Sequence, residues 1–325
     1  MGDGAPTRTR ILLAFAAIYL IWGSTYLAIR FAIETLPPFL MAGMRFVISG
    51  VLLYAWSRAR GAARPERSHW KATAIIGGLL LLGGNGGVVW AEQRVASGLA
   101  ALLVATLPVW MVTMEWARGG LRPTAGVIAG LLLGLGGIGL LVGPGEFAGG
   151  AGADTVGAIV LVLASISWAA GSIYSREASL PKSPLLTTGM EMLAGGGLLV
   201  LAGVVTGELG RLDVAAASAK SWLALLYLIA FGSLIGFTAY IWLLKVSTPA
   251  RVSTYAYVNP VVAVLLGWAF AGEPLSLRTA MAAGIIIAGV AMISVARGAK
   301  QGAAGTQPPS AIVSRVRRRK RREVA

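Results

Sequence analysis

Apolar runs of roughly 18–23 residues alternate with short polar breaks along almost the whole chain. Ten can be marked, at 11–29, 38–57, 70–90, 95–116, 124–142, 155–174, 185–205, 219–243, 250–271 and 278–296. A helix rises 1.5 Å per residue, so about 20 residues cross the ~30 Å hydrocarbon core of a bilayer. The pattern predicts an all-α integral membrane protein with ten transmembrane helices. Gly is frequent inside the runs and charge is rare, as membrane helices allow. The connections are mostly under ten residues, too short for a folded domain outside the lipid.

The runs fall into two copies of one pattern. At a separation of 146, Trp22 matches Trp168, Arg30 matches Arg176, Pro38 matches Pro184, Gly43-Met44 matches Gly189-Met190 and Gly50 matches Gly196. Further on the separation is 152, where Trp70 matches Trp222, Trp90 matches Trp242, Pro108 matches Pro260, Trp116 matches Trp268 and Gly137 matches Gly289. The change places a six-residue insertion between Leu199 and Trp222. Trp and Pro seldom coincide by chance in a chain built largely of Ala, Leu, Gly and Val. The expected organisation is a short N-terminus (1–10), a first five-helix repeat (11–142), a second (155–296) and a disordered basic tail (297–325). Arg8 and Arg10 before an apolar run have the look of a signal peptide. The equivalent segment 157–175 lies in mid-chain, so the first run is read as a helix of the fold.

Composition agrees with lipid as the solvent: 56% of residues are hydrophobic, 13% charged, and the mean hydropathy is +0.75. There is no Cys and the single His is His69. A disulfide framework, a thiolate or multi-His metal site and a Ser-His-Asp triad are thereby excluded, and no metal or cofactor is expected. No phosphate-binding G-x-x-x-x-G-K-[ST] loop is present, so nucleotide hydrolysis is not the energy source.

The net charge of +15 would suit nucleic acid, but its placement points elsewhere. With the N-terminus in the cytoplasm, 22 of the 28 Lys and Arg face inside, 5 face outside, and Arg45 lies within the membrane. This is the positive-inside bias, and it puts both termini in the cytoplasm. Five crossings per copy make the copies enter from opposite sides, related by a pseudo-two-fold axis in the membrane plane. The run Arg315–Arg322 is expected to lie on anionic lipid, with no nucleic-acid partner.

Inverted repeats suit a carrier. Exchanging the conformations of two oppositely oriented halves converts an inward-open state into an outward-open one, with the substrate near the midplane. Some inverted-repeat proteins are channels, and that alternative stays open. Tyr19, Trp22, Tyr26 and Arg30 share a helix face, flanked by Ser24 and Thr25. Ser165, Trp168 and Ser172 occupy the matching face of the sixth helix. These residues either form an aromatic and polar cavity wall or pack neighbouring helices. Asn85, within Gly83–Gly87, sits where Gly permits local unwinding, and its amide bonds either substrate or a neighbouring helix. Pro260, in Tyr255–Pro260, removes a backbone donor and crowds the Ala256 carbonyl. It predicts a break that frees carbonyls, with Tyr257 and the Asn259 amide beside it, and Pro108 marks the equivalent break after Thr106. A passive kink is the other reading. Arg45 and Glu191 occupy equivalent positions, each roughly 10 Å into the bilayer. They either form an ion pair or face separate vestibules, with Glu191 then a candidate proton site. Gly126/Gly130/Gly134 and Ala280/Gly284/Ala288 are helix-packing ladders, within a monomer or across a homodimer.

The segments I-W-G-S-T-Y (21–26), P-P-F-L-M-A-G-M-R-F (37–46) and Ser253–Gly267, with G-N-G (84–86), Ile166–Ser172 and E-M-L-A (191–194), resemble the EamA family of the drug/metabolite transporter superfamily. The resemblance covers about 11–296. It implies ten helices in two repeats, an inner-membrane location, cytoplasmic termini and efflux of small metabolites or drugs, amino-acid-like or other. It also implies a cavity built from the first, third, fourth, sixth, eighth and ninth helices. An importer or sugar-nucleotide-type exchanger is the alternative within the class. An intramembrane enzyme or a scaffold is disfavoured, because no convergent catalytic set is visible and the loops offer little docking surface.

Overall fold

A computed structural model describes residues 7–95, 100, 103–142, 155–271 and 276–305. Among the described residues the chain is helical throughout, with ten main helices: α1 (Arg8–Ala32), α2 (Pro38–Ala59), α3 (Arg67–Ala91), α4 (Leu107–Ala117), α5 (Ala125–Val142), α6 (Thr155–Ser175), α7 (Pro184–Val205), α8 (Ala219–Val246), α9 (Tyr255–Ala271) and α10 (Leu277–Gly305). Six of them, α1, α2, α3, α6, α7 and α8, are long and apolar enough to cross a membrane. α5 and α10 contain shorter apolar stretches, Ala125–Leu140 and Ala280–Ala296.

The helix ends follow from local chemistry. The side chains of Thr7, Ser183 and Ser218 accept from the backbone N–H groups of Arg10, Leu186 and Ser221, which start α1, α7 and α8. α2 is preceded by Pro37, which offers no such bond. Its first N–H groups are met instead by Glu208, whose carboxylate oxygens accept from Phe39 N (3.2 Å) and Leu40 N (2.9 Å). Gly61 and Gly119 stop α2 and α4 with positive φ, the conformation that favours glycine after a helix.

The packing is symmetric between halves. α2 lies along α7 and α5 along α10. α1 packs on α8 as α6 packs on α3, and α9 packs on α1 as α4 packs on α6. Exchanging the halves leaves this set of neighbours unchanged. The α2–α7 crossing is close because matching glycines face it. A Cβ on Gly50 would stand 2.8 Å from Leu193 N, and one on Gly196 2.8 Å from Val47 N. Backbones approach in this way where small residues line the contact.

Four sequence expectations change. The span expected at 95–116 is interrupted: Leu103 and Val104 are helical, Ala105–Thr106 form a turn, and α4 starts at Leu107 with Pro108 in its first turn. A proline there displaces no helical hydrogen bond. In the ninth span the interruption does not fall at Pro260. A short helix, Pro249–Val252, ends nearly two turns earlier at Ser253–Thr254, and Pro260 lies inside α9. The hydroxyls of Ser253 and Thr254 donate to the carbonyls of Ala250 (3.2 Å) and Arg251 (2.6 Å), which makes the break inexpensive there. α10 runs beyond 296 to Gly305, into part of the segment expected to be disordered, through Ala, Lys and Gln, which are good helix formers. The basic run 315–322 lies outside the described residues. Finally, Ala280, Gly284 and Ala288 are exposed, and α10 instead turns Ala282, Ile286, Gly289 and Ile293 inward. Gly130 and Gly289 meet, each Cβ position 2.8 Å from the other's carbonyl oxygen.

Gly50→Leu is expected to lower the melting temperature of the detergent-purified protein, because overpacking of this kind costs about 1–3 kcal/mol. Gly284→Ala, where a Cβ meets nothing within 4 Å, is expected to leave it unchanged or slightly higher.

Candidate functional site

The site is built on two widened helical segments. Gly78–Gly86 of α3 and Leu228–Phe237 of α8 are π-helical, and at the separation of 152 they are equivalent pieces of the two halves. Such turns are rare and frequently fall at functional sites. Each seats a tryptophan from the other half. A Cβ on Gly84 would stand 2.6 Å from Trp168 Cε3, and one on Gly236 2.5 Å from Trp22 Nε1. Trp22 Nε1 donates to the Gly232 carbonyl (3.0 Å), and Trp168 Nε1 donates to the Tyr240 hydroxyl (2.8 Å). The two indoles meet edge to face, with ring centroids 5.8 Å apart and planes at 86°. Tyr240 and Tyr255 pack on Trp22 at 5.1 and 4.8 Å.

Above this aromatic floor is a cavity of about 90 Å³, several times the space one water needs. It reaches Ile29 and Val88, close to the C-terminal ends of α1 and α3. Trp22, Thr25, Tyr26, Asn85, Trp168 and Asn259 line it, together with Arg45. The other sequence candidates lie behind the wall. Tyr19 shares a hydrogen bond with Thr254 Oγ1 (2.6 Å) at the break before α9. Ser172 is buried between the Trp168 carbonyl and the Tyr240 hydroxyl. Tyr257 faces α5, where its ring occupies the space beside Gly134 and its hydroxyl donates to Leu131 O (3.4 Å). Tyr255 takes the lining position instead. Two residues apart on a helix point roughly 200° away from each other, so only one of these tyrosines faces the cavity. Ser165 and Phe237 also line it, and the equivalence of Phe237 to Asn85 is the sequence signal for the latter.

The polar inventory of the cavity is unbalanced. Arg45 is 4% exposed, its Nε donates to Ser233 Oγ (2.8 Å), and its guanidinium carbon lies 4.6 Å from the centroid of the Phe46 ring. The Oδ1 atoms of Asn85 and Asn259 are buried with no hydrogen-bond partner. At the mouth, just past α3, burial pushes the Glu92 carboxyl up to about 7, and its charge reaches Tyr26. Among the described residues no cluster of three His, Cys, Asp or Glu is present.

Arg45 and Glu191 do not pair, although α2 and α7 are in contact. Glu191 is fully buried outside the cavity, neither carboxylate oxygen has a partner, and its charged neighbour is Lys245. Arg45 meets α8 at Ser233, twelve residues before Lys245. Neither charge acts on the other.

At the opposite end of the bundle α6 is bridged to α8, beside a second cavity of about 230 Å³ lined by Arg118, Arg176 and Glu177. Arg176, just past α6, donates to the carbonyls of Leu244 (2.6 Å) and Ser247 (2.7 Å) at the end of α8. Burial lowers its pKa, and the charges of Glu115 and Glu177 oppose that shift. Arg118 pairs with Glu177 beside it.

Comparison with known proteins agrees with this architecture. A model of the EamA-like transporter family matches residues 9–143 and again 155–295. The chain is 41% identical over 286 residues to the uncharacterized inner membrane transporter YedA of Escherichia coli (strain K12), covering 87% of this chain and 90% of that one. It is 24% identical to the uncharacterized transporter YvbV of Bacillus subtilis (strain 168), covering 92% and 95%. A solved crystal structure shares the fold, with a TM-score of 0.71 at 23% identity, covering 88% of this chain and 98% of its own.

Gly236→Val is expected to unseat Trp22, altering the near-ultraviolet circular dichroism of the tryptophans with little change in helix content. Gly136→Ala, where a Cβ meets nothing within 4 Å, should leave the spectrum as it is.

Proposed function

The chain belongs to the EamA-like transporter family, and from that premise we propose that it is a secondary carrier exporting small organic molecules across the inner membrane by alternating access. The observation that carries the reading is the cavity between the halves. It is lined by the equivalent residues Trp22 and Trp168 and floored by aromatic rings, and among the described residues the end beyond that floor is bridged by Arg176. A continuous pore would need no such floor. The inner-membrane location rests on the E. coli relative, and efflux rests only on what the family resemblance in the sequence implies.

The finer architecture is part of the proposal: ten crossings, in two five-helix repeats of opposite orientation, with both termini cytoplasmic. The charge tally supports it, as does the exchange of neighbours between halves. The separation of Arg45 from Glu191 supports it too. Inversion puts equivalent residues at matching depths on opposite sides of the midplane, so that two positions each about 10 Å deep in a ~30 Å core stand well apart. In this orientation the bridged end carrying Arg118 and Arg176 is cytoplasmic, and the cavity leads outward. The tail's basic run lies on anionic lipid in this reading.

The chain has no Cys, so topology can be read with single introduced thiols. Ala63→Cys is expected to react with an impermeant maleimide only after the membrane is opened. Ala215→Cys is expected to react from outside. The reverse pattern would turn the protein over. In proteoliposomes, a carrier accelerates uptake of labelled substrate when unlabelled substrate is preloaded. Uptake unaffected by preloading would identify a channel.

A further inference from the structure

We propose that the cavity selects its cargo by a carboxylate, which binds Arg45, while the amide oxygens of Asn85 and Asn259 receive hydrogen-bond donors from the same molecule. The substrate class is then a small organic carboxylate that also carries N–H or O–H groups and a flat apolar part. This rests on the carrier reading above and names what the same cavity takes.

The argument starts from an incomplete ion pair. Arg45 is buried at membrane depth, and an uncompensated charge there is costly. Its recorded contacts are a neutral hydroxyl, Ser233, and the face of Phe46. Among the described residues no charge from a carboxylate reaches it: Glu92 acts on Tyr26, and Glu191 faces Lys245. The guanidinium has five donors in a planar fork, of which Ser233 uses one. A carboxylate matches the remaining edge with two parallel hydrogen bonds.

The position is built for this residue. A Cβ on Gly232 would stand 2.7 Å from an Arg45 terminal nitrogen, so the glycine leaves the guanidinium its space. The Gly232 carbonyl fixes Trp22 at the same point, which holds the aromatic floor and the cation in one frame. The two orphan oxygens complete the pattern. Asn85 and Asn259 face the same cavity from α3 and α9, and among the described residues neither Oδ1 has a donor, although the Asn259 amide lies within hydrogen-bonding reach of the Tyr26 side chain. One buried cation without an anion and two buried acceptors without donors are the complement of one molecule bearing both. The indole and phenol rings account for its flat apolar part.

The test uses the purified full-length protein and three matched probes, 3-phenylpropionate, 3-phenylpropionamide and 3-phenylpropylamine, with binding read by quenching of intrinsic tryptophan fluorescence. The acid is expected to bind at least tenfold more tightly than the amide, since a lost bond to a charged group costs that much. 3-Amino-3-phenylpropionate, which adds a donor, is expected to bind more tightly again, and Asn85→Ala with Asn259→Ala should remove that gain. Arg45→Met should erase the preference for acid over amide. It should also raise the melting temperature, because it deletes an uncompensated buried charge. A merely structural Arg45 would instead lower the melting temperature on substitution. Acid binding no better than amide, including binding of neither, overturns the proposal, as does a preference that survives in Arg45→Met. The assay needs no flux, so acid-selective binding without counterflow would sink the carrier reading alone. Counterflow with no preference for the acid would sink this one alone.

Discussion

The molecule is organised around a reciprocal contact: each half gives a tryptophan to the other and receives one on a glycine. Trp22 rests on Gly236 and Trp168 on Gly84, and the two indoles touch at the centre. An ordinary α-helical turn with a side chain at either glycine would keep the indole out. The π segments and their glycines make the seat, and the hydrogen bonds from each indole nitrogen lock it. The aromatic floor, the closing tyrosines and the position of Arg45 follow from that seating.

Around this centre the polar groups divide sharply. Hydroxyls such as those of Thr25, Ser49, Thr188 and Ser175 fold back on carbonyls three or four residues earlier, which removes them from the lipid problem. Asn85, Asn259 and Glu191 do not, and they are among the few buried side chains left with an unpartnered oxygen. Membrane proteins seldom keep such groups without a use. Two of the three face the cavity. The third stands near Tyr240, directly behind it, where among the described residues Lys245 is its one charged neighbour.

Much of this was legible in the sequence, because the strongest signals were periodic or duplicated. Trp22 and Trp168 are paired by the repeat alone, and their meeting needed only the assumption of symmetry. Asn85 was marked by the glycines around it. The failures share one physical origin, that sequence spacing fixes a face but not what the face meets. Tyr257 stands two residues from Asn259 beside the expected break, yet the small residue at Gly134 on a distant helix draws it outward. Gly284 belongs to a ladder that reads as a packing face, and α10 turned a different stripe inward. Arg45 and Glu191 share an alignment column and a helix crossing, but their side chains leave the crossing in opposite directions along α8.

The short loop after α7 has a meaning that the repeat alone hides. Pro37 and Ser183 are equivalent residues ahead of equivalent helices, and only the serine caps its own helix. The stretch that carries the six-residue insertion supplies Glu208, which holds the start of α2 from outside, and α7 needs no such partner. A machine made of two interchangeable halves would rest equally in either of its two shapes. These two halves are not fully interchangeable: a single carboxylate holds the start of α2, and its counterpart α7 is capped by its own serine. The departure from symmetry is thus written in a loop that never touches the cavity.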